Sequence, residues 1–294
     1  MALKNITSSL LEIPADWPDR RFSSFEVVDG VRWHVQQQGQ GPTVLLIHGT
    51  GGSTHSWAGC TPLLAREHHV VAIDLPGHGF TVAPPAVERS RQLFALDSMA
   101  TAIGGLLRAL QLRPDAAIGH SAGVPLLLRL TLDGAIAPRH ILGVCPALVA
   151  PPTWYIQFIA PLLATIVESD PAAASGAWLA RTTRIVRTML QSTGSTLTPE
   201  QLGRYEWLCQ QPGHVHAAMA MMARWNLPAL LREAAALRTP VTLLAGRNDR
   251  WVPLIALRRA VDTLPTMQLV EVDGGHLLLE ESPEGVVERL RAKS

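Results

Sequence analysis

Lysine is nearly absent from this sequence. Only Lys4 and Lys293 occur, both at the chain ends, so arginine carries almost all of the positive charge. The scarcity of interior lysine disfavours Schiff-base chemistry, a lysine general base and a phosphate-binding loop that ends in lysine.

A charge imbalance is also lacking. The 294 residues include 25 basic and 24 acidic side chains, for a net charge of +1, which gives no electrostatic reason to expect a nucleic-acid partner. The length of 294 residues allows one large α/β domain or two small ones, and a hydrophobic content of 47% is enough for a substantial core. Cysteine is scarce: the sequence contains Cys60, Cys145 and Cys209 and no others. Their odd number and wide spacing predict reduced thiols and a cytoplasmic location.

Long uninterrupted apolar segments are missing too. The first 20 residues have no apolar core of the signal-peptide type. Residues 141–167 carry no charge, but four prolines interrupt them, at positions 146, 151, 152 and 161. Because proline breaks helices, we predict an apolar lid here and no transmembrane segment, with membrane association of this lid as the alternative.

What the sequence does contain is a series of short apolar strands alternating with helical patterns. An Asp29-Gly30 turn signal separates two β-rich runs, 25–28 and 31–37. The other predicted strands are 43–47, 70–75, 116–118, 140–145, 241–245 and 267–272. The predicted helices are 57–67, 93–112, 122–132, 253–264 and 282–291.

This order predicts an α/β fold with a mostly parallel eight-stranded sheet, covered by helices on both faces and opened by an antiparallel hairpin. The alternation of strands and helices is interrupted between 146 and 238, where helical patterns and prolines occur without a convincing strand. We therefore predict a core formed by 1–145 and 239–294, with 146–238 inserted as a helical cap. In such sheets the chemistry gathers at the carboxyl ends of the strands.

Ser121 is the candidate nucleophile. It stands between Gly119 and Gly123, after an apolar strand and before a helix. Glycines at these two positions permit the tight strand-to-helix turn that exposes a strained serine.

His276 is the candidate base. It follows the predicted strand 267–272 on a glycine-rich loop, at the edge where chemistry is expected. His48 and His78 lie in tight turns, where structural hydrogen bonding is the commoner role. His120 lies inside the serine turn and cannot fold back on its neighbour's hydroxyl.

Asp249 is the candidate acid, because it lies just beyond the end of the predicted strand 241–245. Asp273 is the competing choice. It stands three residues before His276 on the same loop, which favours a turn role. Ser121, Asp249 and His276 also follow one another in the order typical of nucleophile-elbow enzymes.

Backbone N–H groups must stabilise the negative charge that develops on the substrate oxygen. Ala122 follows the nucleophile at a helix start, and Thr50 lies in the loop "HGTGGSTHSW". We predict these two residues as the oxyanion donors. The same glycine-rich loop lacks the lysine that a phosphate-binding loop would need.

The cap is rich in aromatic and methionine side chains, which predicts a large apolar pocket. The residues assigned to that pocket are His55, Trp154, Tyr155, Phe158 and Trp225. We expect no metal and no cofactor, since His214 and His216 have no third ligand at suitable spacing.

Several segments together resemble the α/β-hydrolase superfamily: "LLIHGTGG", "VVAIDLPGHGFT", "IGHSAG", "LLAGRNDRWVP" and "DGGH". The resemblance implies Ser121 as nucleophile, Asp249 as orienting acid and His276 as base, with Thr50 and Ala122 as oxyanion donors. Serine at position 121 argues against haloalkane dehalogenases and epoxide hydrolases, whose nucleophile is aspartate. The absence of lysine from the cap argues against lysine-dependent hydroxynitrile lyases.

Within that superfamily, "VRWHVQQQGQGPTVLLIHGTGGSTHSW" and "GHSAGVPLLLRLTLDG" resemble the magnesium-chelatase accessory proteins of bacteriochlorophyll biosynthesis. This resemblance implies a tetrapyrrole context, with magnesium chelatase subunits as candidate partners. The leading hypothesis is a serine hydrolase that acts on an apolar ester or related carbonyl through an acyl-enzyme. Two alternatives stay open: a porphyrin-binding chaperone that assists magnesium insertion, and a general esterase or C–C bond hydrolase outside pigment synthesis.

Overall fold

A single eight-stranded sheet organises the computed structural model, which describes residues 11–84, 92–149 and 184–292. In chain order the strands are β1 to β8, and their order across the sheet is β1-β2-β4-β3-β5-β6-β7-β8. Their bounds are Ser23–Val28, Val31–Gln38, Thr43–Ile47, His69–Ile73, Ala116–His120, His140–Val144, Val241–Gly246 and Met267–Val272.

The sheet begins as an antiparallel hairpin and continues in parallel. β1 pairs with β2, and β2 with β4, in antiparallel register, whereas every later pair is parallel. At the hairpin turn, Asp29 and Gly30 have φ angles of 50° and 79°, the left-handed values that a two-residue hairpin turn requires. The predicted Asp29-Gly30 turn therefore forms.

Helices cover both faces of this sheet. In chain order they are α1 to α10, with bounds Thr61–Leu64, Leu96–Ala109, Gly123–Leu132, Ile185–Gln191, Pro199–Cys209, Pro212–Arg224, Leu227–Ala234, Leu254–Val261, Leu278–Glu281 and Pro283–Arg291.

The alternation of side chains along each strand creates two cores. On β3, Leu45 and Ile47 pack with α2 and α3, whereas Val44 and Leu46 pack on the opposite face with α1, α9 and α10. Strands that are buried on both faces need near-continuous apolar residues, and this is the pattern that predicted them. The predicted α/β-hydrolase fold, with an eight-stranded and mostly parallel sheet, is confirmed.

Two helix predictions need correction. The predicted helix 57–67 is a 3-10 turn at Thr54–Trp57 followed by the short α1, which has a proline in its first turn. The predicted helix 93–112 is a 3-10 turn at Gln92–Phe94 followed by α2.

Between β6 and β7, the described residues form α4 to α7 and contain no strand. The division into a core and a cap at 146–238 remains a prediction. Across the described residues, none of the helices has both the length and the apolar character that crossing a bilayer requires.

Candidate active site

Ser121 occupies a strained turn between β5 and α3. Its φ angle is 49°, in the left-handed region that a residue with a side chain rarely adopts. A Cβ atom on Gly119 would lie 2.7 Å from the main chain of Gly123, and one on Gly123 would collide with the carbonyl oxygen of Ile47. Both glycines are therefore required by close packing at the turn, and strain of this kind is typical of functional sites.

Three predicted site residues form a continuous hydrogen-bonded chain. His276 Nε2 lies 3.0 Å from Ser121 Oγ, and His276 Nδ1 lies 2.8 Å from Asp249 Oδ2. The side chains of His276 and Asp249 are almost fully buried. The three residues follow β5, β7 and β8, so parallel strands bring them to one edge of the sheet.

Main-chain groups hold the Asp249 carboxylate in place. Its other oxygen, Oδ1, accepts hydrogen bonds from the N–H groups of Trp251 at 2.8 Å and Val252 at 3.0 Å. Asp273, the competing acid, instead accepts a hydrogen bond from Arg247 at the surface. The geometry therefore connects Asp249, and not Asp273, to the imidazole.

His120 fixes the main chain of the loop that carries His276. Its Nε2 donates a hydrogen bond to the His276 carbonyl oxygen, 2.8 Å away. Burial, followed by the nearby His276, lowers the pKa of His120 to about 3, so its imidazole is neutral near pH 7. His120 thus fixes the loop without adding a charge beside the Ser121 hydroxyl.

Thr50 and Ala122 both line the cavity above Ser121. Within residues 11–84, 92–149 and 184–292, no group accepts a hydrogen bond from either main-chain N–H. Ala122 is the N-cap of α3, where the helix dipole favours an anion. Gly49 brings the Thr50 loop close, because a Cβ there would lie 2.8 Å from Ser121 Cβ.

The cavity has a volume of about 690 Å³, within the usual range for small-molecule sites. No Asp, Glu, Lys or Arg is among the described residues that line it. Its walls are mainly aliphatic, thioether and indole groups, including Leu148, Met221, Met222, Trp225, Leu231 and Trp251. Such a wall suits an uncharged apolar ligand.

The predicted pocket residues have different outcomes. Trp225 lines the cavity and donates its indole N–H to the Phe94 carbonyl oxygen at 3.0 Å. His55 does not line it, which corrects that prediction. Its ring lies against Tyr205, which does line the cavity, and its Nδ1 bonds Ser53 Oγ at 2.7 Å. The remaining three predictions, Trp154, Tyr155 and Phe158, lie outside the described residues.

Histidines that the sequence analysis set aside have structural contacts. His48 bonds the Gly49 carbonyl oxygen through Nδ1 and accepts the Leu75 N–H through Nε2. His214 accepts the Gly79 N–H and donates to the Gly51 carbonyl oxygen, each at 3.1 Å.

Cys145, Asp249 and His276 bring potential metal-ligand atoms within 4.8 Å of one another. Burial raises the pKa of the Cys145 thiol well above its usual value, which disfavours the thiolate that a metal requires. Asp249 and His276 already bond each other, so this set of donors suits acid–base chemistry better than metal binding.

Sequence reasoning missed a polar group beside the cavity. The Tyr205 hydroxyl donates to Glu280 Oε1 at 2.5 Å and lies 3.2 Å from Ser56 Oγ. Burial raises the pKa of Glu280 to about 7. Its partners lie 75 and 224 positions away along the chain, so no local pattern could have indicated the cluster.

A second chain of serine, histidine and aspartate was also missed. His34 Nδ1 lies 2.7 Å from Asp74 Oδ2, and His34 Nε2 lies 2.9 Å from Ser23 Oγ. Strand register brings these residues together, because Ser23 and His34 lie on paired β1 and β2 while Asp74 directly follows β4.

Comparisons with known proteins agree with this architecture. A family model described as the alpha/beta hydrolase family matches residues 44–289. The chain is 33% identical over 288 residues to the magnesium-chelatase 30 kDa subunit of Rhodobacter capsulatus, covering 93% of this chain and 95% of that protein. It is 31% identical over 229 residues to the pimeloyl-[acyl-carrier protein] methyl ester esterase of Methylococcus capsulatus, covering 75% and 81%.

Among solved structures, an alpha/beta hydrolase fold protein from Burkholderia ambifaria superposes with a TM-score of 0.75. It is 24% identical, and the match covers 92% of this chain and 97% of that one. This likeness concerns the fold, whereas the family model spans most of the sequence. The chain therefore belongs to the alpha/beta hydrolase family.

Proposed function

We propose that this protein is a serine hydrolase that cleaves an apolar ester or a related carbonyl compound through an acyl-enzyme. The observation that carries the proposal is the hydrogen-bonded chain from Ser121 through His276 to Asp249, which opens into an apolar cavity. A serine hydroxyl is a weak nucleophile until an oriented base accepts its proton. This chain supplies the base and its orientation.

In the acylation half-reaction, Ser121 Oγ attacks the carbonyl carbon of the substrate while His276 Nε2 accepts the hydroxyl proton. Asp249 accepts the Nδ1–H hydrogen bond and stabilises the imidazolium. The negative charge on the carbonyl oxygen is stabilised by the N–H groups of Thr50 and Ala122. The tetrahedral intermediate then collapses, the C–O bond to the alcohol breaks, and His276 donates the proton to the departing oxygen.

Deacylation repeats these steps with water. His276 Nε2 accepts a proton from water as its oxygen attacks the acyl carbon, and the same two N–H groups stabilise the second oxyanion. When that intermediate collapses, the proton returns to Ser121 Oγ. The acid product leaves, and the serine is regenerated.

The lining of the cavity defines the substrate class. Since its described walls carry no charged side chain, the part of the substrate held next to Ser121 should be neutral and apolar. The esterase relative from Methylococcus capsulatus is named for a methyl ester, which supports ester cleavage. We therefore propose a hydrophobic ester as the substrate.

A second candidate function rests on the relative from Rhodobacter capsulatus, which is named as a subunit of magnesium chelatase. On this alternative the protein acts in bacteriochlorophyll synthesis with a chelatase, and the cavity binds a porphyrin without chemistry. Arg181, Arg184 and Arg187 are spaced three apart in the sequence, which predicts one helical face; we favour a solvated face over one that pairs with porphyrin propionates. Arg184 is exposed, Arg187 pairs with Glu206 at 3.5 Å, and Arg181 lies outside the described residues.

A panel of p-nitrophenyl esters of increasing acyl length, together with tetrapyrrole methyl esters, tests the first candidate. We expect turnover by the wild type and a loss on the order of 10⁶-fold in kcat for Ser121→Ala. The folded content of the variant should be unchanged by circular dichroism. Equal turnover by the wild type and Ser121→Ala would refute the hydrolase proposal.

A porphyrin-binding measurement distinguishes the second candidate function from the first. Quenching of tryptophan fluorescence should show saturable binding below about 10 µM, unchanged in Ser121→Ala and weakened in Trp225→Ala. Binding without turnover would favour the chelatase-associated role. Turnover of simple esters without porphyrin binding would support only the hydrolase proposal.

A further inference from the structure

A short turn between α4 and α5 contacts both loops that carry the candidate acid and base. We call residues 192–195 the clamp turn; they are Ser192, Thr193, Gly194 and Ser195. The turn lies in the segment between β6 and β7, far along the chain from both loops.

Thr193 links the two loops through one carbonyl oxygen. This oxygen accepts the N–H of His276 at 3.2 Å and the N–H of Arg250, the residue after Asp249, at 3.4 Å. Thr193 is buried, and its hydroxyl donates to the Leu190 carbonyl oxygen within its own turn. A single acceptor thus bridges the base loop and the acid loop.

The two serines of the clamp turn hold one loop each. Ser195 Oγ accepts the N–H of Leu277, directly after His276, at 2.8 Å. Ser192 Oγ accepts the indole N–H of Trp251, two residues after Asp249, at 3.0 Å. The base and the acid therefore each have a neighbour anchored to this turn.

Close packing leaves the turn little freedom to shift. Gly194 has a φ angle of 82°, and a Cβ there would collide with the Asn248 carbonyl oxygen. A Cβ on Gly275 would lie 2.5 Å from the main-chain nitrogen of Ser195. The turn is seated directly against the main chain of both loops.

We propose that the clamp turn aligns His276 with Asp249 and Ser121, and that Ser195 is a positioning residue for the base. The flanking helices connect this alignment to the substrate cavity, since Leu190 on α4 and Tyr205 on α5 both line it. Filling the cavity therefore stabilises the same segment that aligns the base. This inference rests on the proposed hydrolase function.

Ser195→Ala tests the proposal, because it removes the acceptor of the Leu277 N–H while leaving the triad and most of the cavity wall intact. We expect kcat to fall about 10- to 100-fold, the scale for a misplaced catalytic group, with KM within twofold of the wild type. The same factor should appear for a two-carbon and a long-chain ester, because the loss concerns the base. Ser195→Thr, which keeps the hydroxyl, should restore most of the activity.

Thr188→Ala is the matched control. It removes an exposed hydroxyl whose hydrogen bond, among the described residues, goes to the Arg184 carbonyl oxygen one turn earlier, and kcat should stay at the wild-type value. If Ser195→Ala does not fold, Ser192→Ala takes its place, since it removes the acceptor of the Trp251 indole and should lower kcat similarly. An unchanged kcat, or a loss confined to KM for long esters, would overturn the proposal.

A readout without turnover separates this inference from the proposed function. The low-field proton resonance of His276 Nδ1, assigned by its absence from His276→Gln, reports the hydrogen bond to Asp249. We expect it to shift or broaden in Ser195→Ala and to match the wild type in Thr188→Ala. If the wild type has no hydrolase activity, the proposed function fails, but this resonance still tests whether the clamp turn aligns His276. An identical resonance in Ser195→Ala and the wild type refutes it.

Discussion

Among the residues that the structure describes, two hydrogen-bonded chains of serine, histidine and aspartate occur, and their distances are nearly equal. In the chain beside the cavity, the serine–histidine and histidine–aspartate distances are 3.0 and 2.8 Å. In the second chain, which connects β1, β2 and the residue after β4, the corresponding distances from Ser23 through His34 to Asp74 are 2.9 and 2.7 Å. Distances alone therefore do not distinguish a reactive serine from a structural one.

The surroundings of the two serines do differ. Ser121 has a φ angle of 49°, lines the cavity and stands beside the N–H groups of Thr50 and Ala122. Ser23 has an ordinary extended backbone, with φ of −77°, and belongs to a strand paired with β2 over its whole length. It also accepts a hydrogen bond from Gln36. Of these two serines, only Ser121 combines a base with backbone strain and with the N–H groups that an oxyanion needs.

The two aspartates differ in the same way. Asp74 accepts the N–H groups of Thr54 at 2.7 Å and Phe80 at 2.9 Å, as well as His34, and is fully buried. Burial would raise the pKa of Asp74, but His34, together with His48 and the Phe80 N–H, outweighs burial and holds that pKa below its usual value. Asp74 therefore joins two loops to the sheet, whereas Asp249 faces the imidazole beside the cavity.

The largest difference between the two hydrogen-bonded chains should appear in the effect of their aspartates on turnover. Asp249→Asn should lower kcat on the order of 10⁴-fold, because the amide favours the wrong imidazole tautomer and cannot stabilise the imidazolium. Steady-state kinetics with a short ester measures this effect. Asp273→Asn is the matched control on the neighbouring loop and should remain within twofold of the wild type. Near-normal activity of Asp249→Asn with an inactive Asp273→Asn would show that the acid was assigned wrongly.

Asp74→Asn should show the opposite profile. Removing one partner of a buried pair leaves His34 without its carboxylate, which should cost about 3 to 5 kcal/mol of the free energy of unfolding. Urea unfolding measures this loss. At a temperature where the variant is fully folded, kcat should stay within a few-fold of the wild type. A stable Asp74→Asn protein that has lost its turnover would contradict the structural role of this chain.

Most of the fold could be predicted because buried parallel strands are near-continuous apolar runs. The bounds of β3 and β8 match the prediction, and β7 differs by one residue. The region around α1 was mispredicted because its apolar residues also fit a longer helix. Hydrogen bonding there instead gives a 3-10 turn and only four α-helical residues.

The candidate site was predictable where chemistry leaves a local pattern. Glycines beside Ser121 and residues after strand ends, such as Asp249 and His276, are visible in sequence because the turn and the sheet edge require them. The pairing of Ser23 with His34 depends on strand register, and the contact of Ser195 with Leu277 depends on how α4 and α5 pack. Neither is encoded by local spacing.

Glu280 is a third buried carboxyl to compare with Asp249 and Asp74. Those two aspartates pair with histidines, whereas Glu280 accepts its hydrogen bond from the Tyr205 hydroxyl. Burial raises its pKa from the usual 4.5 to about 7, against the lowering effect of the Tyr205 hydrogen bond; Glu281 adds a further increase. A carboxyl whose pKa is raised on folding contributes stability below its unfolded pKa and loses it as the pH rises through its folded pKa. The affected interval is therefore about pH 4.5 to 7.

Glu280→Gln should remove this pH dependence, because the amide resembles the protonated carboxyl. Relative to the wild type, the variant should gain about 2 to 3 kcal/mol of stability between pH 4.5 and pH 8. Urea unfolding of both proteins at half-unit pH steps measures the gap. A gap that stays constant with pH would mean that Glu280 ionises normally in the folded protein.

The most direct test asks which serine reacts with a fluorophosphonate, a reagent that phosphonylates activated serines. Peptide mass mapping should locate the adduct on Ser121, with none on Ser23. Labelling should disappear in Ser121→Ala and persist at the wild-type rate in Ser23→Ala. An adduct on Ser23, or labelling that survives Ser121→Ala, would contradict the claim that the strained serine beside the cavity is the nucleophile.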